Sequence, residues 1–120
     1  MKKYKTTKKE YEIFQKEFNR LIKLFGLIYY DITFTHKIDD NNYASITVDE
    51  ESKRATVNFT TYLSRDELSD FNPKRIGRHE ASHLLINRLG WLGEKRYATE
   101  SEIDEEEEKI VRILAKVLNE

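Results

Sequence analysis

The stretch Asn72-Pro73-Lys74-Arg75-Ile76-Gly77-Arg78-His79-Glu80-Ala81-Ser82-His83-Leu84-Leu85-Ile86-Asn87-Arg88-Leu89-Gly90 organises the chain. Asn72 suits an N-cap, Pro73 suits the first helical position, and Gly90 is a natural stop. These signals predict a helix over 73–89. Within it, His79-Glu80-Ala81-Ser82-His83 reads H-E-x-x-H. Helical residues four apart lie one turn above each other, so both imidazoles can meet one ion. Glu80 is turned by about 100° and reaches a water beside such an ion rather than the ion itself. Chance placement would produce this motif in roughly 1% of chains of this composition.

On the N-terminal side, Thr7-x-x-Glu10 reads as a capping box. Tyr11, Phe14, Phe18, Leu21, Ile22 and Phe25 follow at helical spacing, so a helix is expected over 8–25, ending at Gly26. The period then drops to two. Tyr30, Ile32, Phe34 and His36 alternate with polar residues, as do Ala44, Ile46 and Val48, and then Ala55, Val57 and Phe59. Three half-buried strands follow from that alternation. The links Asp39-Asp40-Asn41-Asn42 and Glu50-Glu51-Ser52-Lys53 have hairpin length and turn composition. An antiparallel meander is therefore expected, with one wet face.

On the C-terminal side, Ser64-x-x-Glu67 predicts a short helical turn, and Thr99-x-x-Glu102 opens a last helix reaching about residue 118. Its acid-rich first turns suit the positive end of the helix dipole. Trp91, just past Gly90, is expected to plug the core at the helix end. The expected fold class is α+β: a helix, a three-stranded sheet, then two helices, forming one domain over 1–120. Five lysines among the first nine residues predict a frayed basic arm over 1–7, with a phosphate-binding arm as the alternative.

Composition narrows the function. The chain has 120 residues and no cysteine, which excludes disulfides, cysteine-ligated zinc fingers, iron–sulfur clusters and thiol catalysis. Lys+Arg (21) and Asp+Glu (22) nearly cancel, which argues against a dedicated nucleic-acid binder. No apolar run approaches the about 18 residues of a membrane span. The basic start is followed by no apolar signal segment, because Lys23 breaks the run from Leu21 to Tyr30. A soluble, cytoplasmic protein is expected.

A catalytic zinc site wants a third protein ligand. His36 is one candidate, but its parity with Ile32 and Phe34 favours a satisfied sheet histidine. In the last helix, the mean direction of Ile103, Ile110, Val111, Ile113, Leu114, Val117 and Leu118 puts Glu107 on the inner face. Glu106 lies on the other flank of that face. A carboxylate turned toward the core is costly unless paired or on a metal. Glu107 is therefore the first choice for third ligand and Glu106 the second. Asp104, Glu105 and Glu108 point outward.

H-E-x-x-H on one helix with a glutamate on the next resembles the gluzincin class of zinc metallopeptidases. More narrowly, Arg78-His79-Glu80 through Leu84-Leu85, then Arg96-Tyr97-Ala98-Thr99-Glu100, then Glu107-Glu108-Lys109-Ile110-Val111-Arg112 is similar to small metallopeptidases of bacteriophages and prophages. The likeness is detailed over about 40 C-terminal residues; the first half fits the minimal zincin layout only in outline. It implies a Zn²⁺ cofactor, His79 and His83 as ligands, Glu80 as general base, Glu107 as third ligand, and a peptide or protein substrate in the cytoplasm of the host cell. Relatives often carry a small residue before the ligand glutamate where this chain has Glu106, so the two carboxylates stay in competition. Tyr97 is the candidate oxyanion donor, against a packing role. A strand edge near Ala55, Val57 and Phe59 could hold an extended peptide. The rival readings are a zinc-stabilised protein that binds a host or phage partner and cuts nothing, and a nucleic-acid factor using the basic arm.

Overall fold

A computed structural model describes residues 3–39 and 42–118. Helix α1 spans Lys8–Phe25 and ends at Gly26, whose φ of 74° suits a residue without a side chain. Both halves of its capping box form: Glu10 N–H donates to Thr7 Oγ1 at 3.1 Å, and Thr7 N–H donates to Glu10 Oε1 at 2.8 Å. Phe14, Phe18, Leu21, Ile22 and Phe25 are buried as the periodicity predicts. The architecture is α+β: this helix, then strands, then two helices.

The basic start is ordered where it is described. Lys3–Lys5 forms strand β1, and Thr6 is 4% exposed, with Oγ1 donating to Thr60 O at 2.8 Å. The expectation of a frayed arm therefore fails for residues 3–7; Met1 and Lys2 lie outside the described residues. Backbone pairing to a later strand outweighs the repulsion among lysines that face water.

Strands β2 (Asp31–His36), β3 (Ala44–Asp49) and β4 (Arg54–Phe59) form the main sheet. Its order is β2-β4-β3, with β4 parallel to β2 and antiparallel to β3. This corrects the expected meander. The link over 37–43 is long enough to cross the two strand spacings, about 10 Å, that separate β2 from β3. Its Asp40 and Asn41 lie outside the described residues. The central place goes to β4, whose Ala55, Val57 and Phe59 are the most deeply buried strand residues. The β3–β4 link at Glu50–Lys53 is the expected hairpin, with Lys53 at φ 57°.

Strand β5 (Tyr62–Ser64) pairs antiparallel with β1, apart from the main sheet. A 3-10 helix over Arg65–Asp70 follows, begun by Ser64 N–H donating to Glu67 Oε1 at 2.9 Å.

Helix α2 covers Pro73–Glu94, with Arg75 N–H donating to Asn72 Oδ1 at 3.1 Å. It passes through Gly90, which keeps φ negative, so the expected stop is overrun by a turn. The pull is burial of Leu92, 3% exposed, which takes the core place expected for Trp91. Trp91 is only half-buried.

Helices α1 and α2 cross at Gly77, where an added Cβ would stand 2.8 Å from the Phe14 carbonyl oxygen. Only a residue without a side chain allows that approach. Helix α3 covers Glu100–Leu118 and opens with Glu102 N–H donating to Thr99 Oγ1 at 3.1 Å. No described helix is long and apolar enough to cross a membrane.

Candidate metal centre

Three turns of α2 build the site. His79 and His83 project from one face, both exposed, with Nε2 atoms 3.0 Å apart and rings at 81°. Two imidazole nitrogens about 2.0–2.1 Å from one tetrahedral ion stand about 3.3 Å apart, so this pair is spaced for a shared metal. Glu80, turned toward the interior, is 6% exposed. Its side chain lines the cavities on both sides of the histidine step. Burial pushes its pKa up, against the opposing pull of His83 and His79. A buried carboxylate beside the histidines, with its pKa raised, suits proton transfer.

The other wall is β3, which lies at the sheet edge beside α2. Two cavities flank the His79–Glu80 step and share Asn42, Ala44, His79 and Glu80. The one toward the start of α2, of about 490 Å³, adds Tyr43, Glu67, Arg75 and Ile76. The other, of about 780 Å³, runs along β3 past His83 to Trp91 and Glu94. Strand β4 is paired on both sides, so the free edge expected at Ala55, Val57 and Phe59 belongs to β3 instead.

Helix α3 turns Glu106, not Glu107, toward the interior. Glu107 is exposed, whereas Glu106 is 7% exposed and pairs with Arg88 at 3.3 Å and Lys109 at 3.6 Å. The inward edge of α3 runs through buried Glu106 and Ile110 and half-buried Ile103, Ile113 and Val117. Val111, Leu114 and Leu118 are 50%, 42% and 84% exposed. Those three drew the mean apolar direction toward Glu107, although α2 covers only the opposite half of the stripe. Among the described residues, no group of three or more His, Asp and Glu side chains is disposed to hold a metal. The donor set brought together is His79 and His83, with Glu80 beside them.

His36 is engaged elsewhere. Its Nε2 lies 2.8 Å from Thr6 Oγ1 and its ring stacks on Tyr11 at 4.5 Å. Burial lowers its pKa. It is the satisfied sheet histidine that its strand parity favoured. Tyr97 is 83% exposed, so it does not pack in the core, and it lies outside the described lining of both cavities.

Sequence reasoning missed a buried polar network next to the site. Glu50, 3% exposed, accepts from Tyr30 Oη at 2.6 Å, from Asn87 Nδ2 at 2.9 Å and from Lys53. Burial raises the Glu50 pKa, but these three donors outweigh it and hold the carboxyl below its usual range. Asn87 continues the His79, His83 spacing by four, the one signal that could have placed it on the same face.

Comparison with protein-family models, with curated proteins and with solved structures yields no match.

Proposed function

We propose that this chain is a zinc-dependent metallopeptidase of the cytoplasm, using His79 and His83 as ligands and Glu80 as general base. The observation that carries the reading is the 3.0 Å approach of the two Nε2 atoms, with a buried glutamate one residue on from His79. A zinc ion held by His79 and His83 would supply a water of lowered pKa and a Lewis acid for a peptide carbonyl. Glu80 accepts the proton of the attacking water and returns it to the leaving amine. The open edge of β3 offers backbone N–H and C=O groups along which an extended peptide can lie. Glu107 and Glu106 both stand as candidates for third ligand; Glu106 is the inward one, and it is paired with Arg88 and Lys109.

The test is zinc content per folded chain by native mass spectrometry, followed by cleavage assays on a peptide mixture. Glu80→Gln should keep the zinc and lose cleavage. A Glu80→Gln protein that cuts as well as the original overturns the mechanism. A wild-type chain that holds zinc and cuts nothing supports the rival, a metal-stabilised binding protein.

A further inference from the structure

We propose that the outer face of α1, together with the start of α2, binds the phosphate backbone of a nucleic-acid duplex. Lys9, Lys16, Arg20 and Lys23 follow one another along α1 at spacings of seven, four and three, so they form one stripe. All four are exposed. Helix α2 widens the stripe. Its Lys74 lines a hollow of about 390 Å³ with Lys16 and Arg20, and its Arg78 reaches Glu17 at 2.5 Å. A second hollow, of about 630 Å³, lies among Lys16, Asn19, Arg20 and Lys23. Against these six cations stand Glu12, on the flank of the stripe, and Glu17, which Arg20 and Arg78 already hold. Six cations against two carboxylates leave an excess of four positive charges. The chain's net charge of -1 conceals this, because α3 carries seven carboxylates against three cations.

The pattern selects the occupant. A phosphate backbone is bound by spaced positive charge and needs little else. From Lys9 to Lys23 the helix rises about 21 Å, the length of about six base-pair steps. A membrane-surface helix inserts an apolar face. Phe14, Phe18, Leu21, Ile22 and Phe25 of α1 are instead buried in the core, and Ile13 on the outer side is 38% exposed. A protein partner is met by an apolar interface centre, which cations around one isoleucine do not supply. A single strand is held by aromatic rings that stack on its bases. The described lining of both hollows contains no aromatic ring. The basic start of the chain is a separate element, since Lys3–Lys5 pairs with β5. This face is independent of the peptidase reading and stands whether or not the chain cuts peptides.

Fluorescence anisotropy of the full chain with labelled DNA and RNA duplexes, each about 20 base pairs long and of arbitrary sequence, tests the proposal; the length exceeds the stripe's about six steps. The duplex that binds tighter identifies the source of the backbone. Affinity should be indifferent to base sequence. It should fall about 40- to 150-fold between about 50 and 200 mM salt, as three or four phosphate contacts require. Lys16→Gln with Lys23→Gln should weaken binding at least about tenfold at the lower salt and flatten the log–log salt slope by about two. Lys16→Arg with Lys23→Arg should keep both affinity and slope. All four substitutions fall on exposed helical positions, so the melting temperature should stay unchanged. Lys3→Gln with Lys5→Gln should leave the slope in place; if that pair abolishes binding and the α1 pair does not, the contact is the basic start and the proposal falls. No duplex binding at the lower salt overturns it. So does tighter binding to a single strand of the same length, to polyglutamate or to phosphatidylserine vesicles. A sedimentation coefficient of the free chain that rises with concentration, and no longer does so in the α1 Gln pair, also overturns it by assigning the face to the acidic α3 of a second copy.

Discussion

Asn87 donates its side-chain N–H to Glu50 at 2.9 Å, tying the histidine-bearing face of α2 to the end of β3. Tyr30 Oη donates to the same carboxylate oxygen at 2.6 Å. Both walls of the cleft therefore meet at one buried acid. Removing a donor leaves part of that acid unsatisfied away from water. Tyr30→Phe should lower unfolding free energy by about 1–3 kcal/mol in urea titrations. A loss below a few tenths would mean that Glu50 is not held by this bond.

Glu17 of α1 accepts from Arg20 at 2.7 Å and from Arg78, the residue before His79, at 2.5 Å. The Arg20 hydrogen bond, aided by Arg78 and against the cost of burial, brings its pKa down from 4.5 to about 2. A carboxyl depressed in the folded state binds fewer protons there than in the unfolded chain. Its stabilising effect is complete above pH 4.5 and disappears as pH falls toward 2. Both arginines are half exposed, so the contribution is on the order of 1–2 kcal/mol after solvent screening. Glu17→Gln should cost that amount at neutral pH and progressively less in acid. Denaturant titrations of both proteins across the acid range would test this; a constant difference would contradict it.

Two glycines of α2 should respond in opposite directions. At Gly77 an added methyl meets the Phe14 carbonyl oxygen at 2.8 Å, a backbone atom that moves only with α1. Gly77→Ala should destabilise by about 1–3 kcal/mol. At Gly90 nothing lies within 4 Å, and the backbone is helical. Gly90→Ala should stabilise by about 0.5–1 kcal/mol. Thermal melts of both variants give the two signs directly.

Zinc linkage separates the acidic residues of α3. Zinc at a hundredfold excess over its Kd should raise stability by about 2.7 kcal/mol. His83→Ala should abolish the increment. Glu107→Gln should keep it, because that side chain faces water. Glu106→Gln should reduce it if Glu106 completes the ligand set. Apo stability should fall as well, since Arg88 and Lys109 lose their shared partner. Calorimetry with and without zinc resolves the two effects, and an increment lost in Glu107→Gln would restore the residue that the helical wheel selected.

Local signals carried most of the element boundaries. The capping boxes at Thr7 and Thr99, the Asn72-Pro73 start and the Gly26 stop all act within four residues, so they are readable without knowing the fold. The pairing of His79 with His83 is equally local, since helical pitch alone brings them together. Gly90 misled because its stop signal is weak beside the burial of Leu92, a tertiary effect.

From sequence alone, the chain's helices, its alternating strands and the H-E-x-x-H face were determined, because each depends on spacings within a few residues. The β2-β4-β3 order, the inward turn of Glu106 instead of Glu107, and the cleft between β3 and α2 were decided only by tertiary structure. Those features depend on which of several apolar faces gets covered. That competition is settled among segments far apart in the chain, where periodicity carries no information about the partner.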